Sequence, residues 1–235
     1  MTTSGTYDFN PSLGEIVLNA FARCGIRRTA LLQEHMQDAR FETNLMLSDW
    51  ANKGVNLWKV DKVTTPLVVG TTTYPAGSDS NDARRTVMVL DAYIRTSTDS
   101  TQYDRVIMPI SRTEYSATPN KTLEAPPTVF WFDRLISPTI TLWPVPNQEG
   151  LILEYYRVTQ IQDANYSNGQ TVDIPYRWLD AAASGLAARL AAIYAPDRIP
   201  VLDPRAQIAY QTAAGQDVEN VPMYIMPGLS SYYRM

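Results

Sequence analysis

The spacing of apolar residues predicts two helices near the start of the chain, because apolar side chains recur there at every third or fourth position. Asn10–Pro11 provides one signal for a helix start, and Ser12 with Glu15 provides an alternative capping box. Gly25 ends this first helix. Its apolar stripe consists of Leu13, Ile16, Val17, Ala20, Phe21 and Cys24. The second helix covers residues 33–52, with a predicted buried face of Met36, Ala39, Thr43, Met46, Leu47 and Trp50.

Helical spacing returns in the last third of the chain. Pro175 suits the first position of a third helix, and Asp203–Pro204 predicts the start of a fourth helix that continues to Val218. The alanines of "LDAAASGLAARLAA" permit close helix–helix approach. The third helix is predicted to bury one face, made of Trp178, Ala182, Leu186, Leu190 and Ile193.

The region between the two helix pairs has the composition of strands and turns. Short runs of Val, Ile, Thr and aromatic residues alternate there with Gly, Pro, Ser and Asp. Ser111 and Glu114 form a capping box that predicts one short helix, and residues 78–83 and 96–102 are predicted to be exposed loop tips. The predicted strands are 57–64, 66–69, 87–95, 103–109, 128–133, 139–143 and 151–158.

The stretch "LWPVPNQEGL" has two interpretations. Pro144 and Pro146 fit the connection of a hairpin between strands 139–143 and 151–158, where no ladder N–H is needed. The alternative is a polyproline-type segment displayed to a partner. Strand-like sequence on both sides favours the hairpin.

The order of elements predicts an α+β fold. In this interpretation, the N-terminal helix pair (1–56) and the C-terminal helix pair (161–220) pack as one helical bundle. An antiparallel β module with one short helix (57–160) is inserted between them. Residues 221–235 form an extended C-terminal arm.

Composition excludes several kinds of chemistry. The chain has one histidine, His35, and one cysteine, Cys24, so multi-histidine metal sites, thiolate zinc clusters and internal disulfides are excluded. We expect His35 at a solvated helix position and Cys24 in the core, with no catalytic residue, metal or cofactor. The net charge is −4, without the basic face that binds nucleic acid. The longest run of small apolar residues, 181–195, falls short of the roughly 18 residues of a membrane span.

Five segments occurring in order carry a resemblance to a known family: "FETNLMLSDWANKGVNLW", "ISRTEYSATPNK", "PPTVFWFDR", "ITLWPVPNQ" and "VDIPYRWLDAAASGLAARLA". Together they resemble the head-to-tail adaptor, or connector, proteins of tailed bacteriophages. The closest likeness is to the tail-tube or head-completion adaptors that dock beneath the portal. The resemblance covers residues 10–220.

This resemblance implies a structural virion protein without enzymatic activity. It implies a homo-oligomeric ring, a dodecamer by resemblance, that is assembled in the host cytoplasm and lies at the head–tail interface. Its partners would be the portal protein and a tail or nozzle protein. Double-stranded DNA would pass through the ring without specific binding, and no membrane is involved. The acidic charge balance is compatible with such a conduit.

The C-terminal arm is the predicted site of contact with the portal or a neighbouring subunit. Its side chains suit apolar pockets, because Met adapts to irregular surfaces and Tyr offers a large contact area. The alternative is that the arm covers apolar surface on its own helices. The residues of the arm that we assign to binding are Pro222, Met223, Tyr224, Ile225, Met226, Leu229, Tyr232 and Tyr233.

A carbohydrate-binding or carbohydrate-processing β module is the second functional hypothesis. Aromatic residues beside carboxylates can stack on sugars and supply an acid–base pair. The candidates are Trp131 with Asp133, and Glu154 with Tyr155 and Tyr156. Ordinary strand alternation, with aromatics facing inwards and charges outwards, accounts for the same residues.

Overall fold

The computed structural model describes residues 5–7, 9–54, 56–98, 101–165 and 169–218. Over these residues the chain forms five α-helices and seven β-strands, which confirms the α+β class. The helices are α1 (Leu13–Arg23), α2 (Gln33–Lys53), α3 (Arg112–Ala117), α4 (Leu179–Tyr194) and α5 (Ile199–Gln216). The strands are β1 (Val60–Pro66), β2 (Thr73–Pro75), β3 (Thr86–Thr98), β4 (Thr101–Pro109), β5 (Val129–Asp133), β6 (Thr139–Trp143) and β7 (Leu151–Thr159).

The start of α1 follows the capping box at Ser12, and a start at Asn10–Pro11 is wrong. The Ser12 hydroxyl accepts a hydrogen bond from the Glu15 N–H (3.3 Å), and the Glu15 carboxylate accepts one from the Ser12 N–H (2.8 Å). The next N–H, that of Leu13, donates to the Gln170 carbonyl at 2.9 Å. The chain before α1 is therefore tied to the segment that precedes α4.

Tertiary packing moves the C-terminal helices away from their predicted starts. Residues 176–178 form a 3₁₀ turn, so α4 begins at Leu179 rather than at Pro175. α5 begins at Ile199, and Pro204 lies inside it rather than at its first position. Pro204 cannot donate a hydrogen bond within the helix. Leu202, two residues earlier, is buried in the helical cluster and anchors this first turn of α5. Ile193 was assigned to the buried face, but half of its surface is exposed.

The seven strands form one sheet in the order β1-β7-β3-β4-β5-β6-β2. The β4–β5 pair is parallel and the other neighbouring pairs are antiparallel. The predicted hairpin between residues 139–143 and 151–158 is wrong. β6 pairs with β5 and β2, whereas β7 pairs with β1 and β3. Long-range pairing therefore overrides proximity in the sequence.

Three further strand predictions are corrected. Residues 57–59 form a 3₁₀ turn, and β1 ends at Pro66, so 66–69 is not a separate strand. The short strand β2 was missed because it contains only three residues. The predicted loop tip 96–102 is largely strand, since β3 reaches Thr98 and β4 begins at Thr101.

The proline segment after β6 is packed into the protein rather than displayed. Pro144, Val145 and Pro146 are all buried. The Val145 N–H donates to the Leu123 carbonyl, and the Val145 carbonyl accepts from the Ala125 N–H, both at 2.9 Å. The two prolines thus flank the one residue whose backbone N–H is used, and the displayed-ligand interpretation is wrong.

The described residues form two hydrophobic clusters. One contains buried side chains from α1, α2, α4 and α5, and the other contains inward-facing side chains of the sheet. A polar link lies between them: the Lys59 ammonium pairs with the Asp173 carboxylate at 2.6 Å, and the Trp58 indole N–H donates to the Asp173 carbonyl at 3.2 Å. This link ties the start of the sheet to the segment that leads into α4.

Candidate interaction surfaces

An aromatic cluster lies where α2, α4 and α5 meet. The Trp178 ring centroid lies 5.0 Å from that of Trp50, 5.1 Å from that of Trp58 and 5.5 Å from that of Tyr210. Trp50 and Trp178 are 4% and 2% exposed, which confirms their predicted burial. These contacts hold three helices together at one end.

A groove of about 550 Å³ runs between α2 and α5 and has α4 as its floor. The floor residues are small: Ala181, Gly185 and Ala188. Met46 and Trp50 of α2 form one wall, and Ala206 and Tyr210 of α5 line the other. At Gly185 the Met46 side chain of α2 packs directly against α4, since a Cβ atom there would lie only 2.8 Å from the Met46 sulfur. We call this feature the α2–α5 groove.

The two ends of the α2–α5 groove differ. At one end the Lys53 ammonium lies 4.7 Å from the centre of the Tyr210 ring and joins α2 to α5. At the other end the Arg189 guanidinium pairs with Glu42 (3.4 Å) and Asp49 (3.6 Å) of α2. Over the described residues, no ion pair or hydrogen bond joins α2 to α5 at that second end. The groove is therefore bridged at the Lys53 end and unbridged at the Arg189 end.

A ladder of alternating charges crosses four neighbouring strands on the outer face of the sheet. Lys62 of β1 pairs with Glu154 of β7, and Glu154 pairs with Arg95 of β3, each at 2.6 Å. Arg95 also donates to both carboxylate oxygens of Asp104 on β4, at 2.9 and 3.0 Å. The strand registers Tyr93↔Glu154 and Arg95↔Asp104 bring these side chains together. We call Lys62, Glu154, Arg95 and Asp104 the charge ladder.

The charge ladder keeps its members ionised. Burial raises the pKa of Glu154, but its hydrogen bonds and charge interactions with Lys62, Tyr93 and Arg95 outweigh burial and lower the pKa overall. The hydrogen bond to Glu154 raises the pKa of Lys62, and the hydrogen bond from Arg95 lowers the pKa of Asp104. This network links the side chains of four neighbouring strands.

The residues proposed for carbohydrate processing do not form an open acid–base site. A general acid requires a raised pKa, whereas Glu154 is an ionised member of the charge ladder. Tyr155 is fully buried in the sheet cluster, and only Tyr156 of this group is exposed. Trp131 stacks on Tyr115 of α3 at 5.5 Å, so α3 covers one face of the indole ring. Strand alternation explains these residues better.

His35 and Cys24 have structural contacts. Cys24 is buried, as predicted, and its thiol donates to the Ala187 carbonyl of α4 at 3.3 Å. His35 is half-buried rather than solvated: its ring stacks on Tyr194 at 4.8 Å, and its Nδ1 accepts the Leu32 N–H at 3.2 Å. His35 therefore helps to cap the N-terminus of α2.

Exposed apolar side chains mark further surface. Val106 and Met108 on β4 are 69% and 63% exposed, beside the charge ladder. Leu135 and Ile136 in the β5–β6 connection are 60% and 91% exposed. The predicted binding residues of the arm, Pro222, Met223, Tyr224, Ile225, Met226, Leu229, Tyr232 and Tyr233, lie outside the described residues.

Sequence reasoning missed the α2–α5 groove and the charge ladder. The small residues at positions 181, 185 and 188, one face of α4, are the signal that could have indicated the groove. The charge ladder has no comparable signal, because its four members lie on strands whose order only the fold decides. Among the described residues we find no group of three metal-ligating side chains, and no helix long and apolar enough to cross a membrane.

The described surfaces consist of a network of ion pairs, exposed apolar side chains and a groove lined by small apolar and charged residues. In a comparison with known protein families, residues 26–223 match the SU10 adaptor protein. Because this match spans well over half of the chain, the protein belongs to the SU10 adaptor family. It is a structural adaptor of a bacteriophage, a virion component that interacts with other head or tail proteins. A comparison with curated proteins finds no match.

Proposed function

We propose that this adaptor forms a homo-oligomeric ring that joins the portal of the phage head to the tail and serves as a conduit for DNA. The family match over residues 26–223 is the observation that carries the proposal. The adaptor role itself requires binding surfaces on two sides of the protein, one for the head and one for the tail.

The surface of the described residues supports ring formation. A closed ring needs heterologous contacts, in which one patch of a subunit binds a different patch of its neighbour. The chain offers distinct patches: the α2–α5 groove, the exposed β4 residues Val106 and Met108, and the β5–β6 connection with Ile136. Obligate interfaces of this kind bury about 2,000 Å² or more and are apolar at their centres.

The charge of the chain supports passage of DNA without binding. Phosphate-binding Lys and Arg side chains would hold the duplex, and the net charge of −4 disfavours this. The exposed basic residues Arg27 and Arg28 are adjacent to each other but do not extend into a stripe.

In this proposal, residues 1–56 and 161–220 form one helical bundle, and residues 57–160 form the inserted β module. The single cluster of buried side chains from α1, α2, α4 and α5 supports the bundle. The arm, residues 221–235, contacts the portal or a neighbouring subunit. The protein has no enzymatic activity and requires no cofactor.

The test is the mass of the purified protein with and without its portal, measured by native mass spectrometry or light scattering. We expect a ring, or a ring that forms on the portal, with a dodecamer as the specific expectation. A chain that stays monomeric and does not bind the portal would contradict the proposal. Retention of that monomer on a glycan column would favour the carbohydrate hypothesis instead.

Truncation after Asn220 tests the arm. We expect the stability of the subunit to stay nearly unchanged, while portal attachment or ring closure weakens. A truncated subunit that melts at a much lower temperature, but attaches normally when folded, would show that the arm belongs to its own core.

A further inference from the structure

We propose that the α2–α5 groove binds the C-terminal segment, residues 219–235, of a second copy of the chain. The inference rests on the proposed ring and names the receiving site for the arm. Each subunit would then carry one arm and one groove, the pair of different patches that a head-to-tail ring needs.

The groove has the size of a site for a polypeptide segment, with small apolar residues on its floor and polar side chains such as Asp49, Arg189 and Asp203 along its edges. Its volume of about 550 Å³ lies within the roughly 300–1,000 Å³ of typical binding clefts. Gly185 and Ala188 are only partly buried. Met46 packs over Gly185, so the apolar floor that stays accessible lies mainly at Ala188. At Ala188 the short side chain lets a second backbone approach α4 closely.

The C-terminal segment has matching chemistry. Its sequence, "ENVPMYIMPGLSSYYRM", contains Met223, Ile225 and Met226 close together, and Pro222 and Pro227 disfavour helix. Met side chains adapt to irregular apolar surfaces, and Tyr side chains add large contact areas. Seventeen residues reach about 56–61 Å when extended. The segment is therefore long enough to reach a neighbouring subunit.

The bridged end of the groove argues against occupation by the same chain. α5 ends at Gln216, and the next residue, Asp217, pairs with Arg177 and accepts the Leu57 N–H at 3.2 Å. Asp217, where the chain leaves α5, lines a small cavity that shares Lys53 and Tyr210 with the groove; we call this point the exit. The Lys53–Tyr210 contact stands between the exit and the groove. A segment from a neighbour can enter instead at the unbridged Arg189 end.

Disulfide trapping between two copies tests the proposal. In a Cys24→Ala background, one copy carries Ala188→Cys in the groove, and a differently tagged copy carries Tyr224→Cys in the segment. The two are mixed with the portal and oxidised. We expect a cross-linked product that contains both tags. In the matched control, Asn147→Cys replaces Ala188→Cys and is paired with the same Tyr224→Cys copy. Asn147 lies on an exposed connection far along the chain from the groove, so the control should give at least tenfold less cross-linked product.

Two outcomes would overturn the proposal. One is a ring that forms without the mixed product. The other is an intrachain disulfide in a single chain that carries both cysteines, which would place the segment in its own groove. In both cases the proposed ring would still stand. A chain that neither forms a ring nor binds the portal would contradict the proposed function as well.

Filling the groove gives a second readout. Ala188→Trp should weaken ring association at least tenfold in dilution experiments, because the indole would occupy the proposed binding site. Ile193→Trp, on a half-exposed position of α4 outside the groove, is the control and should leave association unchanged. Equal ring association for the two variants would count against the groove.

Discussion

Replacement of Trp178 by alanine is the most direct test of how the helices are held together. Trp178 is 2% exposed and contacts three aromatic rings, those of Trp50, Trp58 and Tyr210. Truncation of a buried large aromatic side chain costs about 3–5 kcal/mol, and three lost aromatic contacts favour the upper part of that range.

One feature of Trp178 acts in the opposite direction. Its indole N–H is buried and has no hydrogen-bond partner among the described residues. An unpaired buried donor costs about 1–3 kcal/mol in the folded state, and this cost disappears when the side chain is removed. We therefore expect a net loss of about 1–4 kcal/mol for Trp178→Ala, from these two contributions.

Trp178→Phe separates the two contributions. Phenylalanine keeps an aromatic ring in contact with the cluster but removes the unpaired N–H, so we expect a loss below about 2 kcal/mol. Trp58→Phe is the comparison within the same cluster. The Trp58 N–H has a partner, the Asp173 carbonyl, and this bond would be lost.

The assay is urea denaturation of each variant, followed by far-UV circular dichroism and by tryptophan fluorescence. Coincident transitions in the two signals would justify a two-state treatment. A loss below about 1 kcal/mol for Trp178→Ala would refute the view that this cluster holds the helices together. A loss for Trp178→Phe as large as that for Trp178→Ala would refute the argument from the unpaired N–H.

Three further predictions concern the charge ladder and the helix caps. Glu154→Gln should cost about 1.5–3 kcal/mol, since it removes charged hydrogen bonds. The folded-state pKa of Glu154 is lowered, so its stabilisation is present above the ordinary glutamate pKa and is lost as the pH falls through the folded value. The melting temperature of the parent protein should accordingly fall more steeply than that of Glu154→Gln between about pH 5 and pH 3; parallel curves would contradict this. For His35→Gln, the free energy of unfolding should fall by about 0.5–1.5 kcal/mol, because the stack on Tyr194 is lost while glutamine at the third helical position still accepts the Leu32 N–H. His35→Ala also loses that acceptor and should be about 1 kcal/mol less stable than His35→Gln. Ser12→Ala should lose about 1 kcal/mol in the same urea assay, and an unchanged midpoint would show that the α1 capping box contributes nothing.

The sequence by itself determined the class of fold and most of the local structure. Capping boxes at Ser12 and Ser111 are local signals, because donor and acceptor lie three residues apart, and both were recognised. The buried positions of Trp50 and Trp178 followed from helical spacing. Six of the seven strands, all but β2, overlap predicted strands for the same reason, since strand composition is also local.

The tertiary structure alone decided which strands are neighbours and where the C-terminal helices begin. Adjacent strands in the sequence, β6 and β7, are separated in the sheet, and distant strands, β1 and β7, are paired. The charge ladder exists only because this order places Glu154 between Lys62 and Arg95. Likewise, the α2–α5 groove depends on how two helices flank α4. Pairing and packing free energies depend on residues far apart along the chain, so no window of local sequence contains them.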